Sequence, residues 1–124
     1  MSKFTVTTTQ KPAIDITPKF WLFDQNNSGG YFLKDLPYFL FVEATTPNQA
    51  NAIAEEMGVD FRESNWFSGA RWRAQDSWHS ESMDTPMIYD RDIETYLNTE
   101  KYLPHPYMAA VVRLNGETTH YRLT

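Results

Sequence analysis

The sequence predicts one α+β domain: an antiparallel or mixed sheet of about five strands, one well-capped helix on one face, a second short helix and a C-terminal hairpin. Three observations predict it. An apolar run at 38–44 leads directly into a capped helical segment at 46–58, short β-rich segments flank this unit, and Asn115-Gly116 separates two strand-forming segments. At 124 residues the chain has the length of a single domain.

The N-terminal part of the chain predicts a strand or ordered arm, followed by a strand and a loop. The alternating stretch 4–9 is rich in Thr and Val and suits an edge strand. Residues 20–23, Phe-Trp-Leu-Phe, predict a second strand. It ends at 24–30, a run of amide, serine and glycine residues typical of turns. Residues 31–33 begin a return strand or a short extended piece.

The clearest local signal is a strand that leads directly into a helix. Residues 38–44 are apolar almost throughout, which indicates a strand with both faces covered and therefore a central position. Thr46 is the predicted N-cap, Pro47 takes the first helical position and Gln49 completes a capping box. Gly58 ends the helix. The buried side of the helix consists of apolar residues at helical spacing: Ala50, Ile53, Ala54 and Met57.

The segments that follow this helix carry weaker signals. Residues 59–61 and 66–73 predict further strands joined by polar turns, whereas 75–86 is polar and predicts a loop. Asp90 or Asp92 is expected to cap a short helix that ends near residue 101.

The C-terminal segment predicts a hairpin with strands at 107–114 and 117–123 around the Asn-Gly turn. The single domain thus divides into four segments in chain order: an arm or strand (1–18), a core (19–73), a loop with a short helix (74–106) and the hairpin (107–124).

Composition excludes several classes of function. Asp and Glu outnumber Lys and Arg by 16 to 11, a net charge of −5, which disfavours a nucleic-acid polymer as partner. The chain has no cysteine, and thus no disulfide or thiolate metal site. No apolar run approaches the ~20 residues of a membrane span, and the N-terminus lacks an apolar signal stretch. We therefore expect a cytoplasmic protein that has no membrane partner.

Aromatic residues are abundant, with 8 Phe, 7 Tyr and 4 Trp. A core of this size cannot bury all of them, so some are expected at an interface or a ligand pocket. One helix covers only one face of a sheet, so the opposite face needs another cover. A homo-oligomer would supply that cover through the aromatic surplus.

Two segments are candidate ligand-binding sites. The first is an amide-rich run whose backbone N–H groups and side-chain amides suit a phosphate, a base edge or a peptide: Gln25, Asn26, Asn27, Ser28, Gly29 and Gly30. The same residue types are what a tight turn requires for its backbone angles, so the sequence leaves both interpretations open.

The second candidate is Arg71-Trp72-Arg73, preceded by Trp66. Paired guanidinium groups bind carboxylate or phosphate, and an indole face stacks on a base. In a strand, Arg71 and Arg73 would share one face and Trp72 the other. The competing interpretation is that Trp72 belongs to the core and both arginines are solvated.

Catalytic motifs are absent from the sequence. The three histidines (His79, His105 and His120) stand at no metal-binding or catalytic spacing, and no phosphate-cradling or nucleophile-elbow pattern occurs. We expect no metal and no cofactor. A binding protein is favoured over an enzyme, although distant residues can assemble a catalytic site in space.

Residues 20–32, with the run Gln-Asn-Asn-Ser-Gly-Gly, resemble the opening of a family of small, functionally uncharacterised proteins of tailed bacteriophages. Residues 41–61 are similar to that family's strand-helix-strand segment, and Gly69-Ala70-Arg71-Trp72 is similar to its Gly-x-Arg-Trp ending. Family members often carry cysteines before this ending, whereas this chain reads Asn-Trp-Phe-Ser, so a metal role is not expected. The segment from about Ser77 onward lies outside the resemblance and is expected to be this protein's own elaboration.

The resemblance implies an accessory factor that acts on the host. The leading hypothesis is a non-enzymatic counter-defence protein that sequesters a small anionic ligand, namely a nucleotide immune signal. Arg71 and Arg73 would bind phosphate, Trp66 or Trp72 would stack on the base, and the 25–30 run would donate hydrogen bonds. The alternatives are a protein inhibitor of a host defence enzyme and a nucleotide-cleaving enzyme that depends on His105 or His120.

Overall fold

A computed structural model of the chain describes residues 17–25, 35–59, 61, 74–75, 82–99 and 107–122. In chain order, the elements are β1 (Lys19–Asp24), β2 (Phe39–Ala44), α1 (Pro47–Glu56), β3 (Ser82–Met83), β4 (Met87–Ile88), β5 (Arg91–Asp92), α2 (Ile93–Thr99), β6 (Tyr107–Val112) and β7 (Thr118–Arg122). The predicted α+β fold class is confirmed. The strands predicted at 4–9, 31–33 and 66–73 lie outside the described residues.

Five strands form one mixed sheet in the order β3-β1-β2-β6-β7, while β4 and β5 form a separate two-stranded sheet. β2 pairs antiparallel with β1 and parallel with β6, so it is the central strand, as predicted. Its apolar run is buried on both faces, because each face of the sheet is covered by a helix of the chain.

The face of the sheet that α1 covers, the α1 face, packs against small side chains of the helix. Ala50 and Ala54 of α1 are fully buried against Phe23, Leu40 and Val42, which alternate with the residues of the other face. Alanine side chains allow the helix to lie close to the sheet, so the large residues of β1 and β2 fill the space between the two layers.

The opposite face, the α2 face, is covered by the second helix and the β4–β5 ribbon. Ile88, Ile93 and Tyr96 pack there against a row of strand residues that includes Phe39 and Phe41. The expectation that this face needs a second molecule as its cover therefore does not hold, because the chain covers the face itself. The homo-oligomer stays a prediction without this support.

The N-terminus of α1 has the predicted caps, with one difference in the capping box. Thr46 Oγ1 accepts a hydrogen bond from Gln49 N at 3.1 Å, and Pro47 begins the helix. In a standard capping box the Gln side chain accepts from the N–H of the N-cap residue. Here Gln49 Oε1 accepts instead from the N–H of the preceding residue, Thr45, at 2.7 Å. Thr46 and Pro47 thus act as predicted, whereas the Gln49 side chain accepts from Thr45 N instead of closing the predicted capping box on Thr46 N.

The C-terminus of α1 ends in a Schellman motif. Gly58 has φ +108°, its N–H bonds Glu55 O at 3.0 Å, and the Val59 N–H bonds Ala54 O at 3.1 Å. The strand predicted at 59–61 is therefore wrong for Val59 and Phe61. The Val59 amide closes the helix instead of joining a ladder, and the Val59 side chain is buried in the same core cluster as Ala54.

We expect Gly58→Ala to lower the free energy of unfolding by about 1–2 kcal/mol, because only glycine adopts this φ without a steric penalty. An added Cβ would lie 3.6 Å from Leu36 Cδ2, an ordinary contact, so the cost arises in the backbone. Urea denaturation measures it. Glu56→Ala, an exposed helical position with ordinary φ, is the control; equal stabilities for both variants would contradict the assignment.

Of the two candidate caps, the one that begins α2 is Asp92. Its Oδ1 accepts a hydrogen bond from Thr95 N at 2.7 Å, and hydrogen bonds from the Thr95 side chain and backbone hold the pKa of the Asp92 carboxyl below its ordinary value. Asp90 lies instead in the β4–β5 turn, where it and Tyr89 both have positive φ. Asp90 as the cap is therefore wrong.

The C-terminal hairpin is confirmed, but its turn is one residue longer than a two-residue Asn-Gly turn. Gly116 N donates to Arg113 O at 3.0 Å and Arg113 N to Glu117 O at 2.8 Å, with Gly116 at φ +95°. This is a type I turn closed by a left-handed glycine.

Within the segment predicted as a loop, residues 82–83 are a short strand. β3 pairs Ser82 and Met83 with Trp21 and Phe20 of β1, so the loop prediction is wrong at these two positions. Two residues are too few to show the alternation by which a strand is recognised in a sequence.

Neither of the described helices is long and apolar enough to cross a membrane.

Candidate functional site

The structure describes one of the ten predicted ligand-binding residues, Gln25, together with the chain neighbours of others. The remaining nine lie outside the described residues: Asn26, Asn27, Ser28, Gly29, Gly30, Trp66, Arg71, Trp72 and Arg73. Their roles stay predictions. The described residues on either side of them fix where the two segments join the fold.

Gln25 is buried, with 1% of its surface exposed. Its Nε2 donates to Leu36 O and Pro37 O at 3.1 Å each, and its backbone N donates to Tyr38 O at 3.0 Å. These three bonds join the two chain segments that flank residues 26–34. The described contacts of Gln25 are therefore those of a clamp at the base of the amide-rich run.

Gln25 begins a row of residues that crosses four strands, which we call the terminal row: Gln25, Tyr38, Tyr107 and Arg122. Tyr38 N donates to Tyr107 O at 2.9 Å, and Tyr107 is paired with Arg122 in the β6–β7 register. The row lies where β2 and β6 begin and β1 and β7 end. Three strand spacings of ~4.8 Å place its two ends ~14 Å apart.

The far end of the terminal row carries a cation on an aromatic ring. The Arg122 guanidinium carbon lies 3.8 Å from the ring centroid of Tyr107, a cation–π distance. Arg122 itself is exposed, and among the described residues no carboxylate lies within salt-bridge distance of it. A stacked guanidinium of this kind keeps N–H donors at its edge for a phosphate or carboxylate.

His120 completes this cluster through the Tyr107 hydroxyl. Tyr107 Oη and His120 Nδ1 are hydrogen-bonded at 2.5 Å. Burial raises the pKa of the Tyr107 phenol, against a smaller lowering by Arg122, so the phenol keeps its proton. The cluster therefore offers a cation, an imidazole and an aromatic face rather than a phenolate nucleophile.

Gln75, two residues after Arg73 in the chain, is fixed beside β1, on the side of that strand that faces away from β2. The Asn51 side chain of α1 bonds both backbone groups of Gln75, at 2.8 Å from Gln75 N and 2.7 Å from Gln75 O. Gln75 Nε2 donates to Leu22 O at 2.5 Å. The chain after the Arg-Trp-Arg segment is thus attached to β1 three residues before Gln25.

A second candidate is a cleft of about 240 Å³ on the α2 face, lined in part by Ile93, Glu94, Val111, Arg113 and Tyr121. Arg113 lies over the Phe20 ring, with its guanidinium carbon 5.5 Å from the centroid. Asp92 and Glu94 line the same cleft and oppose an anion there. In the terminal row, burial and the Asp24 carboxylate raise the pKa of Tyr38, whereas no described carboxylate lies within salt-bridge distance of Arg122, so the Arg122 end of the row is the better anion site.

Metal ligation has no candidate in the described part of the chain, where no three His, Asp or Glu side chains lie close enough together to hold an ion.

A family model described as a domain of unknown function (DUF7296) matches residues 18–124, and the chain belongs to this family. The match includes the C-terminal segment, so the expectation that residues from about Ser77 onward are this protein's own elaboration is wrong. No curated protein and no solved structure matches the chain.

Proposed function

We propose that this member of the DUF7296 family binds and sequesters a small anionic ligand, a nucleotide immune signal, at the end of its sheet where the terminal row lies. The terminal row is the observation that carries the proposal. It aligns Gln25, which leads into the amide-rich run, with Arg122, which is stacked on Tyr107. The attachment of Gln75 to Leu22 joins the Arg-Trp-Arg segment to the same strand.

The recognition chemistry follows from these residue types. Arg122 would pair with phosphate together with Arg71 and Arg73, since guanidinium groups bind phosphate through two parallel hydrogen bonds. Trp66 or Trp72 would stack on the base, and residues 26–30 would donate backbone and amide hydrogen bonds. Three cations at one site would attract an anion although the whole chain carries a net charge of −5.

The biological setting is proposed from the resemblance of residues 20–73 to tailed-bacteriophage proteins. We propose a counter-defence protein that works in the host cytoplasm and lowers the free concentration of a nucleotide signal. Sequestration without chemistry requires only tight binding, which suits a protein whose sequence has no catalytic motif.

Arg122→Ala is expected to weaken nucleotide binding about ten- to hundredfold, the loss of one charge-assisted contact. Native mass spectrometry with a panel of cyclic and linear nucleotides first identifies the bound species, and titration calorimetry then gives the affinities of the variants. Arg113→Ala is the matched control, because Arg113 also lies over an aromatic ring but on the α2 face. Equal affinities of the two variants, or no binding by the wild type, would overturn the proposed site.

A protein inhibitor of a host enzyme is the second candidate, and the β4–β5 turn favours it. Tyr89 is 78% exposed at the tip of this turn, next to the exposed Met87, and its φ of +48° is unusual for a tyrosine. An exposed tyrosine side chain is typical of interface anchors. This candidate predicts no nucleotide mass in the spectrum and a stable complex with one host protein.

Nucleotide fragments in place of intact ligand would indicate a cleaving enzyme, with His105 or His120 required.

A further inference from the structure

The two edges of the five-stranded sheet differ in length and protection. One edge is β3, which has two residues, and the Lys19–Asp84 salt bridge of 2.7 Å lies beside it. The other edge is β7, which has five residues and ends the strand order of the described sheet. Short, charged edges resist pairing with other chains, whereas longer unprotected edges favour it.

The hydrogen-bond register shows which backbone groups of β7 face outward. Arg113 N donates to Glu117 O, and in an antiparallel ladder every second pair of opposite residues is hydrogen-bonded. Counted from this bond, the hydrogen-bonded pairs are Val111–Thr119 and Ala109–Tyr121. The N–H and C=O groups of the residues between them, Thr118 and His120, therefore point away from β6. They form a short row of donors and acceptors along the outer edge of β7.

The side chains of β7 do not protect this edge. The strand reads Thr-Thr-His-Tyr-Arg, which is rich in residues that favour strands and contains neither proline nor lysine. Its one charged residue, Arg122, is stacked on Tyr107, and His120 is bonded to the same tyrosine. Both side chains are thus held against the sheet on the α1 face instead of extending along the edge.

We propose that the outer edge of β7 pairs antiparallel with β7 of a second copy of this chain, about a two-fold axis at Thr119. Thr118 and His120 would exchange backbone hydrogen bonds with the partner's His120 and the partner's Thr118, which joins the five described strands of each chain into one continuous sheet. The interface rests on backbone groups and does not depend on the proposed ligand.

Self-pairing is favoured over another occupant because the edge is complementary to itself. Two-fold pairing at Thr119 sets this threonine opposite its own copy, a favourable cross-strand pair. It also sets Arg122 opposite the partner's Gly116, so no like charges meet, whereas in-register parallel pairing would bring the two Arg122 side chains together. A two-fold contact closes on itself, so assembly stops at the dimer.

The test compares Thr118→Pro with Thr118→Ala in sedimentation velocity over a concentration series. Proline removes an outward N–H that β6 does not use, whereas alanine keeps it. We expect a dimer for the wild type and Thr118→Ala, and at least a ~10-fold higher dimer dissociation constant for Thr118→Pro. A monomeric wild type, or equal dissociation constants for the two variants, would overturn the proposal.

A charge pair keeps the test decisive if the proline variant does not fold. Thr119 is exposed on the α2 face, so Thr119→Glu and Thr119→Lys leave the core unchanged. Each variant alone is expected to be monomeric because two like charges meet at the two-fold axis, and an equimolar mixture is expected to form a heterodimer. Homodimers of both variants, or no heterodimer in the mixture, would contradict pairing at Thr119. Nucleotide binding by the monomeric variants would separate this proposal from the proposed function.

Discussion

Phe41→Ala is expected to lower the free energy of unfolding by about 3–5 kcal/mol. Phe41 is fully buried on the central strand β2, with Leu22 and Val111 beside it on the neighbouring strands. It packs with Phe39 and Ile93 between the sheet and α2. Its removal leaves a cavity between these two layers, because neither the sheet nor the helix can shift far enough to fill it. A loss of this size is a large fraction of the stability of a small domain.

Urea denaturation followed by circular dichroism measures this loss, with Tyr89→Ala as the control. Tyr89 is an aromatic residue with 78% of its surface exposed, and we expect its removal to cost no more than about 0.5 kcal/mol. Phe41→Leu should lie between the two, since it keeps most of the apolar contact. A loss below about 1 kcal/mol for Phe41→Ala would mean that the α2 face is not packed as described.

The strand-helix unit was predictable because its determinants are local. Thr46 and Pro47 set the start of α1 and Gly58 its end, through hydrogen bonds that reach no further than five residues along the chain. The parallel pairing of β2 with β6 joins residues about 70 apart, and no local pattern specifies it. The cover of the α2 face was missed for the same reason, since the short helix α2 carries no sequence signal for the face on which it packs.

The candidate site was only partly predictable, and an irregular register explains the difference. Regular pairing from Ala109–Tyr121 would place Met108 opposite Arg122. A bulge near Tyr107 instead sets this tyrosine opposite Arg122 and allows the guanidinium to stack on its ring. The spacing of His120 and Arg122 shows that they share a face, but the bulge that supplies their aromatic partner has no signature in the sequence.

Gln25→Leu is expected to lower the free energy of unfolding by about 2–4 kcal/mol, because it leaves two carbonyl groups near the core without their donor. Those groups are Leu36 O and Pro37 O, each 3.1 Å from Gln25 Nε2. Leucine fills a similar volume, so the loss reports the hydrogen bonds rather than a cavity. Urea denaturation gives the free energy of unfolding.

The control for Gln25→Leu is the same substitution at an exposed glutamine. Gln49→Leu removes the capping contact to Thr45 and is expected to cost about 1 kcal/mol or less. The clamp at Gln25 would be refuted by a loss no larger than that of Gln49→Leu.

Substitutions inside the amide-rich run distinguish its two interpretations, ligand site and turn. If the run binds ligand, Asn26→Ala and Asn27→Ala should weaken nucleotide binding with little change in the stability of the protein. If the run serves only as a turn, the same variants should lower the stability of the protein, and the protein that remains folded should bind nucleotide with unchanged affinity.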